Sequence, residues 1–141
     1  RSTKPLQLGN VDTKRDWSDA EDFVKGIWLM LNQDRKDPKE YVLSSNETHT
    51  IREFVEEAFN FAGFHRSQCK WKGEGLEEKY FHGSDVLVEI NKDFYRPAEV
   101  DLLWGDSTKA REELGWEPKT NFFQLVKKMV DCDVAAVYPY L

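Results

Sequence analysis

Apolar residues recur every three or four positions in three stretches of this chain, the spacing that places them on one face of an α-helix. Each stretch follows a polar residue suited to capping a helix N-terminus. The sequence therefore predicts three amphipathic helices. Their expected apolar faces comprise Ala20, Phe23, Val24, Ile27, Trp28 and Leu31 in the first, Ile51, Phe54, Val55, Ala58, Phe59 and Ala62 in the second, and Phe122, Leu125, Val126, Met129 and Val130 in the third.

Capping boxes and glycines mark where these helices begin and end. The three expected capping boxes pair Ser18 with Glu21, Thr50 with Glu53, and Asn121 with Gln124. Gly63 suits the left-handed position after the second helix. A fourth, shorter helix is predicted over Thr108–Leu114, closed by Gly115, and the last helix is expected to reach about Val137.

The predicted strands are short and few. Apolar runs indicate strands at Pro5–Asn10, Tyr41–Leu43, Cys69–Trp71 and Val86–Ile90. The 41–43 strand lies between two helices, as in a parallel sheet, so we expect it and the first helix to pack against a sheet whose other strands this chain does not supply. Without that sheet, their apolar faces are either exposed or repacked among themselves. The rest of Arg66–Ser84 predicts a mobile loop, and the fold class is α/β, a helix-rich α+β fragment with about four helices and three or four strands.

Composition narrows the class of protein. The length of 141 residues predicts one domain over residues 1–141, and the net charge of -6 argues against a nucleic-acid partner. There is no signal peptide and no apolar run of about 18 residues, so a membrane partner is not expected. The two cysteines, Cys69 and Cys132, lie far apart, which favours a reducing, cytoplasmic setting without disulfides.

Two polar segments carry the candidate chemistry. The first is Lys14-Arg15-Asp16-Trp17, which we expect at the end of a strand just before a helix. The second is Tyr95-Arg96-Pro97-Ala98-Glu99-Val100-Asp101. Each contains an arginine, whose planar fork suits a diphosphate, and the carboxylate of Glu99 suits a pair of ribose hydroxyls. Taken alone, the first segment is more typical of a solvated loop, and the second is weak evidence because a surface ion pair explains it as well.

Other kinds of site lack the residues they need. The sequence has no glycine-rich dinucleotide loop and no Tyr-x-x-x-Lys pair, so no cofactor-binding residues are predicted. His49, His65 and His82 have neither triad partners nor zinc-ligand spacing, so we expect surface or supporting roles for them and predict no catalytic or metal-binding residue.

The order of these segments along the chain carries a resemblance. Leu8-Gly9-Asn10-Val11-Asp12-x-Lys14-Arg15-Asp16-Trp17 is followed by Tyr95-Arg96-Pro97-Ala98-Glu99-Val100-Asp101-Leu102-Leu103-x-Gly105-Asp106 and then by Leu114-Gly115-Trp116-x-Pro118. From about Leu6 to Val134 the chain resembles the C-terminal part of the extended short-chain dehydrogenase/reductases that act on nucleotide sugars. Within them it is most similar to the GDP-mannose 4,6-dehydratases.

The resemblance implies that Arg15 and Arg96, with Lys14 beside them, hold the diphosphate of GDP-mannose and that Glu99 accepts hydrogen bonds from the ribose. Full-length members of the family use NADP to convert GDP-mannose to GDP-4-keto-6-deoxymannose and water, on the way to GDP-fucose. The family's catalytic and cofactor-binding motifs lie in an N-terminal Rossmann part that is absent from this chain, which is therefore expected to be non-catalytic alone. Its expected partners are that missing Rossmann half or further copies of itself. Residues 66–84 depart most from the family pattern.

Two alternatives stay open from the sequence. The chain could be an enzyme-derived interaction or structural module without catalytic activity, whose aromatic helix faces contact another protein. It could instead be the substrate domain of a dehydratase or epimerase for another nucleotide sugar.

Overall fold

The computed structural model describes residues 4–34, 37–96, 98 and 100–137. This part of the chain contains four α-helices and seven short strands. The helices are α1 (Ala20–Leu31), α2 (Ile51–Phe61), α3 (Thr108–Leu114) and α4 (Phe122–Val137). The strands are β1 (Leu6–Leu8), β2 (Lys14–Arg15), β3 (His49–Thr50), β4 (Cys69–Lys72), β5 (Lys79–His82), β6 (Asp85–Ile90) and β7 (Leu102–Leu103). Two 3₁₀ turns lie at Arg66–Gln68 and Gly75–Glu77.

The strands form two small sheets. The larger has the order β1-β6-β5-β4, with β1 parallel to β6 and the other neighbours antiparallel. In the smaller, β2 lies between β3, to which it is antiparallel, and β7, to which it is parallel. The α/β fold class with four helices and short strands is confirmed for the described residues.

Helix α2 covers one face of the larger sheet and forms the core with it. Val55 of α2 packs against Tyr80 and Val88 of the sheet, all three buried. Helix α4 contacts α2 in turn, and its inward side chains Phe122 and Val126 are buried. Full burial of side chains of this size stabilises a fold by about 1.5–3 kcal/mol each, so this cluster stabilises the pairing of helix and sheet.

The predicted ends of α2 and α4 are confirmed at their N-termini. In α2 the Thr50 side chain and the Glu53 side chain satisfy each other's backbone N–H groups, which is the full capping box. In α4 the Asn121 amide donates to Gln124 Oε1 at 3.0 Å, and the Gln124 amide donates to Asn121 Oδ1 at 2.9 Å. Gly115 closes α3 in the left-handed conformation, with φ of +63°, as predicted.

The predicted cap of α1 is wrong by one residue. The backbone N–H of Glu21 donates to Asp19 Oδ1 at 2.8 Å, so Asp19 is the N-cap. The Ser18 hydroxyl instead donates to Asp16 Oδ1 at 3.0 Å. A contact that the sequence does not reveal favours Asp19: Lys128 Nζ of α4 lies 3.0 Å from Asp19 Oδ2.

The apolar face predicted for α1 lies largely on the surface. Four of its side chains are between 51% and 79% exposed, namely Val24, Ile27, Trp28 and Leu31. The buried side of the helix carries Asp22 and Gly26. A Cβ on Gly26 would lie 2.6 Å from Leu43 Cδ1 and 2.9 Å from Trp116 Nε1, so this helix approaches its neighbours through its smallest residue. Of the two expected outcomes for this face, the structure shows exposure.

The strand predicted at Tyr41–Leu43 is absent from the described structure. These residues pair with no other strand, and the Val42 side chain is exposed. The Tyr41 hydroxyl lies 2.9 Å from Glu113 Oε2 of α3. Because a strand is defined by its ladder of hydrogen bonds to a neighbouring strand, this apolar run does not form one.

The mobile loop predicted within residues 66–84 is also wrong. It contains β5, which pairs with β4 on one side and β6 on the other. Gly83 has a φ of +61° and lies in the two-residue turn between β5 and β6, where positive φ is required. Gly83 therefore belongs to a tight turn, and the described residues contain seven strands where three or four were expected.

Candidate functional site

The two segments that carry the candidate residues lie side by side. Strand β1 runs parallel to β6 with Leu8 opposite Ile90, and β2 runs parallel to β7 with Arg15 opposite Leu103. Between the strand pairs, the Lys14 amide donates to the Asp101 carbonyl at 2.8 Å. The segment from 6 to 15 thus accompanies the segment from 88 to 103, and the candidate residues Lys14, Arg15 and Arg96 come from these neighbouring segments.

A glycine allows the two segments to approach. A Cβ on Gly9 would lie 2.3 Å from the carbonyl oxygen of Phe94 and 2.8 Å from its carbonyl carbon. Real Cβ atoms essentially never come so close to a backbone atom, and backbone cannot move aside as a side-chain tip can. The Asn91 amide also donates to the Leu8 carbonyl at 2.7 Å. The turn after β6 is therefore fixed against β1 just before Tyr95 and Arg96.

The Arg15 side chain extends to the second segment. Its Nη1 lies 2.8 Å from the carbonyl oxygens of Lys14 and of Val100. Val100 is four residues after Arg96, whose side chain is exposed, as is that of Lys14. Glu99 lies outside the described residues. The structure thus brings Arg15 to the segment that contains Arg96, and the joint binding of a ligand by these side chains stays a prediction.

An open cleft of about 320 Å³ lies beside Arg15. Its lining is mostly apolar and includes one cation and one anion: Arg15, Asp16, Phe23, Leu43, Ser44, Leu103, Trp104 and Gly105. Ligand sites commonly combine an apolar wall with a few polar groups that fix orientation. The volume of the cleft is at the lower end for small-molecule sites, so it suits a part of a large ligand rather than the whole.

Asp16 organises the loop that follows α1. Its Oδ1 accepts from the Ser45 amide at 2.9 Å and from the Ser45 hydroxyl at 2.8 Å, and its Oδ2 accepts from the Asn46 amide at 3.2 Å. The carboxylate is thus occupied by backbone and hydroxyl donors. We conclude that Asp16 fixes the shape of the loop.

Asn46 links that loop to the segment after β7. It is the one non-glycine residue with positive φ in the described chain, at +64°, a conformation that asparagine tolerates better than most residues. Its Oδ1 accepts from the Ser107 amide at 3.0 Å and lies 2.9 Å from the Ser107 hydroxyl, and Ser107 is fully buried. Sequence reasoning missed this pair, although a Ser-Ser-Asn run between two helices was a signal for a turn stabilised by side chains.

His49 has a structural position next to Arg15. It lies directly opposite Arg15 in the β2–β3 pair, and its ring stacks on Phe122 with centroids 3.9 Å apart. Its ring nitrogens lie 3.5 Å from Glu53 Oε2 and 3.7 Å from Glu47 Oε2. The supporting role expected for this histidine agrees with these contacts, because they are with packing and surface groups.

The charged side chains that line the cleft are Arg15 and Asp16. In residues 4–34, 37–96, 98 and 100–137 no cluster of three histidines, cysteines or carboxylates is arranged to hold a metal ion. Over the same part of the chain, none of the helices has the length and apolar character needed to cross a membrane. An arginine beside apolar and aromatic side chains can bind an anion attached to a ring, as in a nucleotide.

Comparison with known sequences points to one family. The family model described as GDP-mannose 4,6 dehydratase matches residues 1–129 of this chain. GDP-mannose 4,6 dehydratase from Drosophila melanogaster is 45% identical over 131 residues, which are 92% of this chain and 32% of that protein. The Homo sapiens protein of the same name is 42% identical over 131 residues, 92% of this chain and 34% of that protein. The chain thus spans about a third of the length of these relatives.

Comparison with solved structures supports the fold. The structure of RMD from Pseudomonas aeruginosa complexed with NADPH superposes with a TM-score of 0.66 at 21% sequence identity, over 93% of this chain and 36% of that one. At this identity the likeness concerns the fold alone. It agrees with the α/β fold class predicted from the sequence.

Proposed function

Because the chain belongs to the GDP-mannose 4,6-dehydratase family, we propose that it forms the C-terminal part of a longer enzyme of this kind and that it holds the nucleotide diphosphate of GDP-mannose. One observation supports this most directly: the strand that carries Lys14 and Arg15 runs parallel to the segment that follows Arg96, with Arg15 Nη1 donating to the Val100 carbonyl. Residues 1–141 act as one substrate-binding domain in this proposal.

Each proposed binding residue has a defined part. Arg15 and Arg96 bind the diphosphate oxygens, since guanidinium groups form paired, charge-assisted hydrogen bonds with phosphate. Lys14 adds a third positive charge from the same strand as Arg15. Glu99 accepts hydrogen bonds from the ribose hydroxyls. The apolar and aromatic side chains that line the cleft, which include Trp104, pack against the ligand in this proposal.

The cofactor of the proposed full-length enzyme is NADP, which supplies hydride-transfer chemistry when bound. This chain's residues are not suited to hold it, because the sequence has neither a glycine-rich phosphate loop nor a Tyr-x-x-x-Lys pair. We therefore assign to this chain no catalytic residue, only the binding and orientation of the substrate. The two cysteines are unpaired, in keeping with the cytoplasmic location that we propose.

Isothermal titration of the full-length protein with GDP-mannose tests the proposal. Arg15→Ala and Arg96→Ala should each weaken binding by about tenfold or more, since a hydrogen bond to a charged group contributes about 1.5–3 kcal/mol. Arg15→Lys should recover little affinity, because lysine lacks the planar fork. Lys127→Ala on α4 removes one positive charge from an exposed ion pair with Asp131 and serves as the control for net charge. Unchanged affinity in both arginine variants would refute the assignment.

A second titration, with UDP-glucose, separates the proposal from a related enzyme for another nucleotide sugar. Tighter binding of GDP-mannose than of UDP-glucose is expected. The reverse preference would show that the substrate is a different nucleotide sugar held by the same arginines.

The exposed apolar face of α1 favours a second candidate function, an interaction module derived from the enzyme. Such a module would bind neither nucleotide sugar, and the face of α1 would contact another protein. A monodisperse protein with no affinity for either ligand would support this candidate over the first.

A further inference from the structure

Arg52, near the start of α2, joins three parts of the chain around one guanidinium group. Its Nε and Nη2 donate to the two carboxylate oxygens of Asp12 at 2.8 and 3.0 Å. Its Nη1 and Nη2 donate to the two carboxylate oxygens of Glu78, both at 2.8 Å. The guanidinium also lies over the Trp71 ring, 4.5 Å from its centroid. The two carboxylates, Glu78 first, hold the pKa of Arg52 well above its usual value.

One of these carboxylates, that of Asp12, lies two residues before the proposed binding strand β2. Asp12 precedes Lys14 by two residues, and the Arg52 amide donates to the Val11 carbonyl at 2.8 Å. The 10–13 turn is thus fixed to α2 through both the backbone and the side chain of Arg52. Glu78 lies instead just after the 3₁₀ turn at Gly75–Glu77, which contains none of the proposed binding residues.

We propose that Arg52, acting through Asp12, is a positioning residue for nucleotide-diphosphate binding, a role that rests on the function proposed above. Arg52, Asp12 and Glu78 together form a clamp. It holds the 10–13 turn before β2, so that Lys14 and Arg15 are already ordered when the ligand binds. Ordering that strand on binding would otherwise cost conformational entropy and weaken the complex. Neither Arg52 nor Asp12 touches the ligand in this arrangement.

The clamp has two arms, the Arg52–Asp12 pair and the Arg52–Glu78 pair. The two carboxylates differ in burial, and this difference sets the size of the expected effects. The Asp12 side chain is 67% exposed and the Glu78 side chain 16% exposed. Solvent screens the Asp12 arm more strongly, so its loss should cost less stability than loss of the Glu78 arm. If the Asp12 arm orders the binding strand, however, its loss should cost more affinity. A larger loss of affinity from the Asp12 arm together with a larger loss of stability from the Glu78 arm would distinguish a positioning role from general stabilisation of the fold.

The experiment compares Asp12→Asn with Glu78→Gln in the full-length protein, because each substitution removes one carboxylate charge at nearly constant shape. Binding of GDP is measured by titration calorimetry and stability by urea unfolding. Asp12→Asn should weaken GDP binding by about fivefold with the smaller loss of stability, and Glu78→Gln should change it by less than about twofold with the larger loss. Arg52→Lys, which keeps the charge without the fork, should weaken GDP binding as Asp12→Asn does.

Hydrogen exchange of the Lys14 amide, which donates to Asp101, gives a readout that needs no ligand. Exchange should speed up in Asp12→Asn and stay unchanged in Glu78→Gln. Two results would overturn the role of Arg52. One is a larger loss of GDP affinity in whichever of Asp12→Asn and Glu78→Gln loses more stability. The other is an equal exchange rate of the Lys14 amide in these two variants. Failure of the wild-type protein to bind GDP would overturn the proposed function and this inference with it.

Discussion

At the scale of single residues, two buried carboxylates of this chain accept hydrogen bonds from distant segments. Asp22 is buried in α1, and its Oδ2 accepts from the Lys119 and Thr120 amides at 2.9 and 3.0 Å. Asp19 is buried at the start of the same helix and contacts Lys128 of α4. A buried carboxylate is retained only when such donors compensate for its lost hydration. These side chains therefore join α1 to the segments on either side of α4's start.

Asp19 gives a prediction about pH. The hydrogen bond from the Glu21 amide, followed by that from Lys128, holds the pKa of this carboxyl below its usual value of 3.8. Because the pKa is lower in the folded state, the charge of Asp19 stabilises the fold above about pH 4, and this contribution is lost as pH falls through the lowered pKa. Asp19→Ala should cost about 1 kcal/mol at pH 7 through the lost cap.

The matched variant is Asp19→Asn, since asparagine caps a helix about as well but carries no charge. Its loss of stability at pH 7 should be smaller than that of Asp19→Ala. The difference between wild type and Asp19→Asn should shrink in urea unfolding as the pH is lowered from 7 to 2. A difference that is constant over this range would contradict the assigned pKa shift.

At the scale of elements, the site depends on two chain segments that pair twice in parallel, β1 with β6 and β2 with β7. Parallel pairs require long connections, and here those connections contain α1, α2 and the β4–β5 hairpin. The segments can approach between the two pairs because Gly9 has no side chain. The position of the residues after Phe94 relative to β2 is thus set by backbone contact.

Gly9→Ala should disturb this contact. The new Cβ would meet the Phe94 carbonyl at 2.3 Å, so the turn must move. We expect a loss of about 1–3 kcal/mol in the free energy of unfolding, as for other overpacked sites. GDP affinity should fall as well, because Arg96 follows this turn. Urea unfolding and calorimetry measure the two effects.

Asp93→Ala is the control for Gly9→Ala, since Asp93 lies in the same turn with an exposed side chain. It should leave stability within about 0.5 kcal/mol of wild type. Equal stability of Gly9→Ala and wild type would show that the turn after β6 is not fixed by its contact with Gly9.

At the scale of the whole molecule, α1 presents a row of exposed apolar side chains. Trp28 and Leu31 are exposed with Val24 and Ile27 on the same helix, and Val42 is exposed on the segment that follows. Contiguous apolar surface of this kind is rare on monomeric proteins and usually marks an interface. The proposed full-length enzyme would cover this face with its Rossmann part, and the chain alone would leave it in water.

We therefore expect the 141-residue chain to self-associate through α1. In sedimentation velocity the wild-type chain should show a larger average mass as its concentration rises from micromolar to tens of micromolar. The double variant Trp28→Lys, Leu31→Glu should remove this dependence. Val137→Lys, at an exposed position on α4, should not. A concentration-independent monomer with a cooperative melt at high temperature would contradict the expectation.

The sequence by itself determined the features that depend on neighbouring residues. The capping boxes at Thr50 and Asn121, the glycine stop of α3 and the bounds of that helix follow from contacts three or four residues apart. The family likewise follows from local motifs, because a run such as Tyr95 to Asp106 is specific without knowledge of the fold. Helices and motifs were predictable because the information that specifies them is short in range.

Only the tertiary structure decided the features that depend on distant segments. Lys128 selects Asp19 over Ser18 as a cap from 109 residues away, and β5 becomes a strand because β4 and β6 flank it. The run at 41–43 is not a strand, because it joins neither sheet of the described chain. The adjacency of β2 and β7, with Arg15 bonded to Val100, likewise arises from pairing between residues more than 80 positions apart. Long-range hydrogen-bond partners and burial are set by the three-dimensional arrangement of the chain. They cannot be predicted from the local pattern of apolar and polar residues in the sequence.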